Sequence, residues 1–123
     1  MKKLFFIAFF LVAGMEISVA ADSLNVVDAN GKKQGLWVIT NENSRLADYA
    51  PTAKVEEGRY KDDKKIGKWK RYYPSGSVKS IITFQNNSPS GYAIIYHPNG
   101  KVMEEGLWQN QRWVGEYKLY YDK

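Results

Sequence analysis

The chain has 123 residues, 18 lysines and arginines against 13 aspartates and glutamates, a formal net charge of +5, and no cysteine. The missing thiols exclude disulfide staples, thiolate metal sites and thiol chemistry. Packing must come largely from the 15% of aromatic residues, and the mild basicity favours acidic partners without selecting one.

Met1-Lys2-Lys3 makes a positive start, residues 4–15 are apolar or small, and Ser18-Val19-Ala20-Ala21 offers small residues for cleavage. This is the three-part layout of a secretory signal peptide over residues 1–21. The 12 uncharged positions before Glu16 fall short of the ~20 apolar residues of a spanning helix. With no cysteine there is no lipoprotein anchor, so the expected location is the periplasm or the outside of the cell. Without Lys2, Lys3 and Glu16 the rest of the chain holds 16 basic and 12 acidic side chains, a net charge of +4. Residues 22–123 are enough for one domain.

That domain repeats with a step of 24 residues. Tyr72, Tyr96 and Tyr120 keep it, as do Gly67, Gly91 and Gly115, and the aromatics Tyr60, Phe84 and Trp108. Pro74 matches Pro98, Gly76 matches Gly100, and Val78 matches Val102. A fixed period of this length marks a stacked-repeat architecture. An earlier unit starts at Gly35-Leu36-Trp37. It lies 32 residues before Gly67, so it carries an eight-residue insertion, placed within residues 40–54. The last unit, from Gly115, stops after Tyr120-Tyr121, in mid-unit.

Each unit reads as a β-hairpin. In the best-defined one, residues 68–73 form a strand, Pro74-Ser75-Gly76 a turn, and residues 77–84 a second strand rich in Val, Ile, Thr and Phe. Asn86-Asn87-Ser88-Pro89-Ser90 reads as the loop to the next unit. A lone hairpin is marginal in water, so consecutive hairpins must pair. The expected fold is all-β: stacked antiparallel hairpins in an elongated, right-twisted sheet. The best helical candidate after the signal segment is the short stretch 44–49.

Gly67, Trp69, Tyr72, Tyr73, Pro74, Gly76 and Phe84 carry a pattern that recurs at Gly91, Tyr96, Pro98, Gly100 and Trp108, and partly at Gly115, Tyr117, Tyr120 and Tyr121. This pattern resembles the MORN repeat in its bacterial variant form, across residues 26–123, nearly the whole of the chain after the signal segment. Ala93, in place of the aromatic after glycine, and the insertion are its two departures. The resemblance implies a grooved sheet with a scaffold or interaction role, without catalysis and without a cofactor. The antitoxin label that some bacterial relatives carry fits an exported protein poorly and is not adopted.

Few residues suggest chemistry. His97 is the only histidine, and its repeat equivalents are Tyr73 and Tyr121, so the slot wants a flat ring rather than a ligand or a base. No metal-ligand spacing surrounds it. Glu56-Glu57 and Glu104-Glu105 are adjacent on strands and point to opposite faces, so neither doublet is an acid–base pair. Asp62-Asp63 reads as a solvated turn.

Two features are not repeated. Lys64, Lys65, Lys68, Lys70 and Arg71 interleave with Trp69, Tyr72 and Tyr73, a composition able to attract anionic lipid or glycan. Such a run can also bind single-stranded nucleic acid, but export argues against that target. It can equally be a solvated strand face with lysines covering ring edges. The insertion is either a binding loop or a spacer, since repeat arrays often place such insertions on one face. The leading expectation is a non-catalytic module that binds another envelope protein. The alternative is binding of anionic lipid or glycan through the basic aromatic strand. The half unit at the end leaves an edge strand, which could pair with a second copy.

Overall fold

The computed structural model describes residues 23–121; the expected signal peptide lies outside them. Eight strands run in chain order across one antiparallel sheet. They are β1 (Val26–Val27), β2 (Lys33–Thr40), β3 (Lys54–Lys61), β4 (Lys64–Tyr72), β5 (Val78–Gln85), β6 (Ser88–Tyr96), β7 (Val102–Gln109) and β8 (Arg112–Leu119). One four-residue helix, α1 (Asn41–Ser44), interrupts the series after β2. The all-β hairpin stack expected from the period is therefore the observed fold.

The first strand of each matched hairpin begins earlier than the sequence pattern suggested, at Lys64 and Ser88, while the second, expected from residue 77, begins at Val78. Asn86 and Asn87 alone make the β5–β6 turn, with φ of 46° and 73°. Asp62-Asp63 and Asn110-Gln111 do the same at β3–β4 and β7–β8. Two consecutive positive φ values give the type I′ turn, whose twist matches that of the flanking strands. Ser88 and Pro89 thus belong to β6, with Pro89 opposite Phe84 beside a break in the ladder, where proline is tolerated. The repeat-defining glycine is not a turn residue. Gly67 (φ 70°) lies inside β4, facing the register shift between Glu57 and Arg59. It is a bulge residue, which glycine alone adopts without strain.

The turns of residues 28–32, 73–77 and 97–101 share one form. In each, the first backbone N–H donates to the fifth carbonyl, and the fourth N–H to the first carbonyl. The insertion is the exception. The helix occupies residues 41–44, not 44–49, because Arg45 enters the left-handed region (φ 56°) and stops it. Asn41, buried, organises the loop beyond the helix: its side-chain amide donates to the carbonyls of Leu46 and Tyr49 and accepts from the Leu46 N–H. Tyr49 then stands 24 residues before Tyr73, so the extra residues are 41–48.

A single sheet has no second layer, so packing must come from side chains lying over their own sheet. Trp37 pairs with Gly58, and Trp69, Ile82, Ala93, Gly106 and Tyr117 pair in turn from β4 to β8; Trp69 lies over Gly58 at the β3–β4 register shift and joins the two into one row. Strand alternation puts them on one face, here called the ring face. Trp69 is 1% exposed, although no second layer of the described residues covers it. It achieves this by lying across Gly58, where an added Cβ would stand 2.3 Å from the indole. Tyr60 and Phe84 flank it edge-on at 5.0 and 6.4 Å between centroids, and its N–H donates to the Arg59 carbonyl.

Ala93 removes the aromatic that stands at Trp37, Trp69 and Tyr117, and Ile82 stands where β3 and β7 have Gly58 and Gly106. At each junction between units a large residue meets a small one (Trp69 on Gly58, Ile82 on Ala93, Tyr117 on Gly106), with the order reversed in the middle. Both Trp69 and Ala93 are buried. Gly58→Ala should therefore destabilise the protein by about 1–3 kcal/mol, the range for overpacking. Urea unfolding monitored by tryptophan fluorescence measures this; an unchanged midpoint would show that Trp69 does not rely on the missing Cβ.

Candidate functional site

Each unit is tied to the next by one ring at a fixed slot. The Tyr49 hydroxyl donates to the Tyr72 carbonyl at 2.6 Å, and the Tyr73 hydroxyl to the Tyr96 carbonyl. The same bond recurs at 3.1 Å between His97 Nε2 and the Tyr120 carbonyl. A carbonyl only accepts, so Nε2 carries the proton. The single histidine is thus held in a tie that tyrosine makes in the other units.

On the ring face, lysines close the first two units. Lys33 lies over Trp37 and Tyr60, at 5.3 and 5.0 Å from their centroids. Lys65 lies over Trp69 and Phe84, at 4.4 and 5.1 Å, and pairs with Glu56 at 2.9 Å. The next equivalents of Lys65 are Pro89 and Trp113. Trp113 packs edge-on to Trp108 at 5.0 Å and tilted against Tyr117 at 4.8 Å. The rings thus form two ladders, Trp37–Tyr60–Trp69–Phe84 and Trp108–Trp113–Tyr117, with β6 between them.

The periodic glycine bulge, the ring tie and the turn recur where the MORN repeat variant family model matches, at residues 65–86 and 89–110. The chain carries MORN-variant repeats. No curated protein and no solved structure matches it. The two matched MORN-variant units are β4–β5 and β6–β7. The β2–β3 pair and β8 continue the same row of cross-strand neighbours on either side.

β4 divides the basic aromatic run between two faces. Lys65, Trp69 and Arg71 are on the ring face, where Trp69 is buried and Lys65 is occupied by Glu56 and the rings. Lys64, Lys68, Lys70 and Tyr72 are on the reverse face, by alternation. Tyr73 sits beyond the strand in its tie to Tyr96. The eight residues lie within ten positions of sequence but do not share a surface. The reverse face adds Arg59, which a sequence window around Trp69 misses. Together with Leu36, Glu57, Ile66, Lys68 and Lys70 it lines a shallow cavity of about 350 Å³.

The acidic doublets are accounted for by tyrosines. Glu105 accepts from Tyr92 at 2.7 Å and Tyr120 at 2.9 Å on the reverse face. Glu104 accepts from Tyr117 at 2.8 Å on the ring face. Glu57 occupies the Glu105 slot and pairs with Lys54 at 2.8 Å. Burial pushes the Glu57 carboxyl up, but hydrogen bonds from Lys54 and Tyr72 and the charges of Lys54 and Lys70 outweigh it, so it lies below its ordinary 4.5. Hydrogen bonds from Tyr92 and then Tyr120 lower Glu105 in the same direction. Among the described residues, no three His, Asp or Glu side chains gather as a metal site, and no helix is long and apolar enough to cross a membrane.

These shifts fix the pH response. A carboxylate lowered by folding stabilises the protein above 4.5 and loses that contribution as pH falls through the folded value. The thermal midpoint should fall below pH 4.5, and the Glu57→Gln, Glu105→Gln double variant should lose less on acidification, with Asp28 supplying the remainder. Equal losses in both proteins would contradict the assignment. His97→Tyr should keep the tie and the stability, whereas His97→Ala should lower the unfolding free energy by about 1 kcal/mol, the value of one hydrogen bond.

Proposed function

We propose that this is an exported, non-catalytic binding module of the cell envelope that holds another protein on its ring face. MORN-variant units form a repeat module, not a catalytic family. The observation that carries the reading is the contrast between the two faces. On the ring face the indoles and phenyls line up, and Lys33 and Lys65 are drawn onto those rings. The result is an aromatic surface with few free charges, the composition that protein side chains cover well. Tyr117 and Leu119 extend it on β8, where they are 39% and 48% exposed.

The reverse face supports the alternative, an anionic lipid or glycan. Arg59, Lys68 and Lys70 stand together there, exposed around the cavity beside Ile66. An anion held by them would be released by salt, because exposed charges are screened within about 10 Å at 0.1 M. A protein held by the rings would not.

The tagged protein, crosslinked in its own cells, tests both. Tyr117→Ala with Leu119→Ala should reduce the captured envelope protein at least fivefold. Arg59→Ala, Lys68→Ala and Lys70→Ala together should leave it in place at 0.5 M salt. Loss of capture in the triple variant, with lipid or glycan enriched on the unaltered protein, would move the function to the reverse face.

A further inference from the structure

We infer that the ring face receives an aromatic side chain of its partner polypeptide in the cavity beside Ala93, with an acidic neighbour of that ring turned to Arg71. The inference rests on the protein-binding function proposed for this face. Its basis is the break in the ring ladder. Trp37, Tyr60, Trp69 and Phe84 stand in edge contact on one side, and Trp108, Trp113 and Tyr117 stack on the other. β6 separates them, with Pro89 and Ala93 in the places of Lys65 and Trp69.

Ile82 takes up part of the area that the Trp69 indole covers over Gly58 in the preceding unit. The remainder is a cavity of about 210 Å³, walled by Ile82, Pro89, Ala93, Ile95, Trp108 and Trp113. Its walls are almost wholly apolar. A ring entering it meets Trp108 and Trp113 and joins the ladder in the edge or tilted packing used elsewhere on this face. An alkyl chain would fill the volume without that gain. The lysine that shields the Trp69 slot has no counterpart here, because Pro89 holds its place.

Charge gives the site a direction. Arg71 is on the ring face of β4, in the row Arg71–Ser80–Ile95–Glu104. Among the described residues its guanidinium has no hydrogen bond or ion pair, since its cross-strand neighbour Glu56 is held by Lys65. Glu104, on the other side of Ile95, accepts from Tyr117 and repels an acid there. Arg71 is two strands from Ile95, about 10 Å, which an extended peptide covers in about three residues. The occupant is therefore an aromatic residue with an acidic residue two or three positions away, on the β4 side.

Three short peptides blocked at both ends test this on the purified protein: Glu-Gly-Gly-Trp, Lys-Gly-Gly-Trp and Glu-Gly-Gly-Leu. The readout is the methyl NMR signals of Ile82 and Ile95. The first peptide should shift both signals saturably. It should bind about threefold more tightly than the lysine peptide at low salt, the scale of an exposed ion pair. The leucine peptide should bind more weakly still. Ala93→Leu, which plugs the cavity, should abolish the response. So should Ile82→Gly with Ala93→Trp, read at Ile95, which rebuilds the Gly58–Trp69 arrangement with the protein's own indole. No shift from either tryptophan peptide, equal binding of all three, or a response that survives both variants would overturn the inference. If the peptides fail while partner capture still depends on Tyr117 and Leu119, the protein-binding function stands and only the cavity assignment falls. If capture does not depend on them, that function falls first.

Discussion

The indole of Trp69 lying on the bare backbone of Gly58 is the contact on which the rest of this sheet depends. An eight-stranded sheet without a second layer exposes both faces, and burial is the dominant favourable term in folding. Here burial is obtained within the sheet. A glycine on one strand lets a ring from the next lie flat, and that ring then packs against Tyr60 and Phe84. Of the buried apolar residues, Tyr60, Trp69 and Ala93 are on that face, and Val55 sits at the irregularity between the partners of Ile39 and Thr40. One-sided packing also explains why the two faces differ. Rings collect where the glycines permit them, and the lysines and arginines of alternate positions are left on the reverse.

The 24-residue period made the fold legible, because each slot recurs with its backbone role attached. Gly67, Gly91 and Gly115 mark the bulge, and Tyr73 and His97 mark the tie between units. The turn at Asn86-Asn87 was harder to place. A run of five turn-forming residues does not say which two take positive φ, and the strand partners of Ser88 and Pro89 decide it. The helix in the insertion was misplaced for a related reason. Its position is set by Asn41, a residue that reads as loop but is buried and bonded to Leu46 and Tyr49.

The candidate surface was less legible than the fold. A window of sequence joins Lys68, Trp69, Lys70 and Arg71, while a strand sends alternate members to opposite sides. Arg59 joins Lys68 and Lys70 only through the pairing of β3 with β4. The cavity beside Ala93 had one visible signal, the departure of Ala93 from an aromatic slot. Its meaning needed the cross-strand partner Ile82, which the period alone does not supply. Departures from the repeat are where this chain differs from an idealised stack, and both the basic reverse-face patch and the Ala93 cavity arise at such departures.

The central claim is that each junction between units packs one large residue against one small one across the ring face, and a double-mutant cycle at positions 82 and 93 tests it most directly. Unfolding free energies would be measured for Ile82→Gly, Ala93→Trp and the pair. The account expects Ala93→Trp alone to collide with Ile82 and the second change to relieve it, giving a favourable coupling of about 1–3 kcal/mol. Additive effects of the two substitutions would contradict it, and the ring ladder would then have to be explained by something other than glycine-to-indole complementarity.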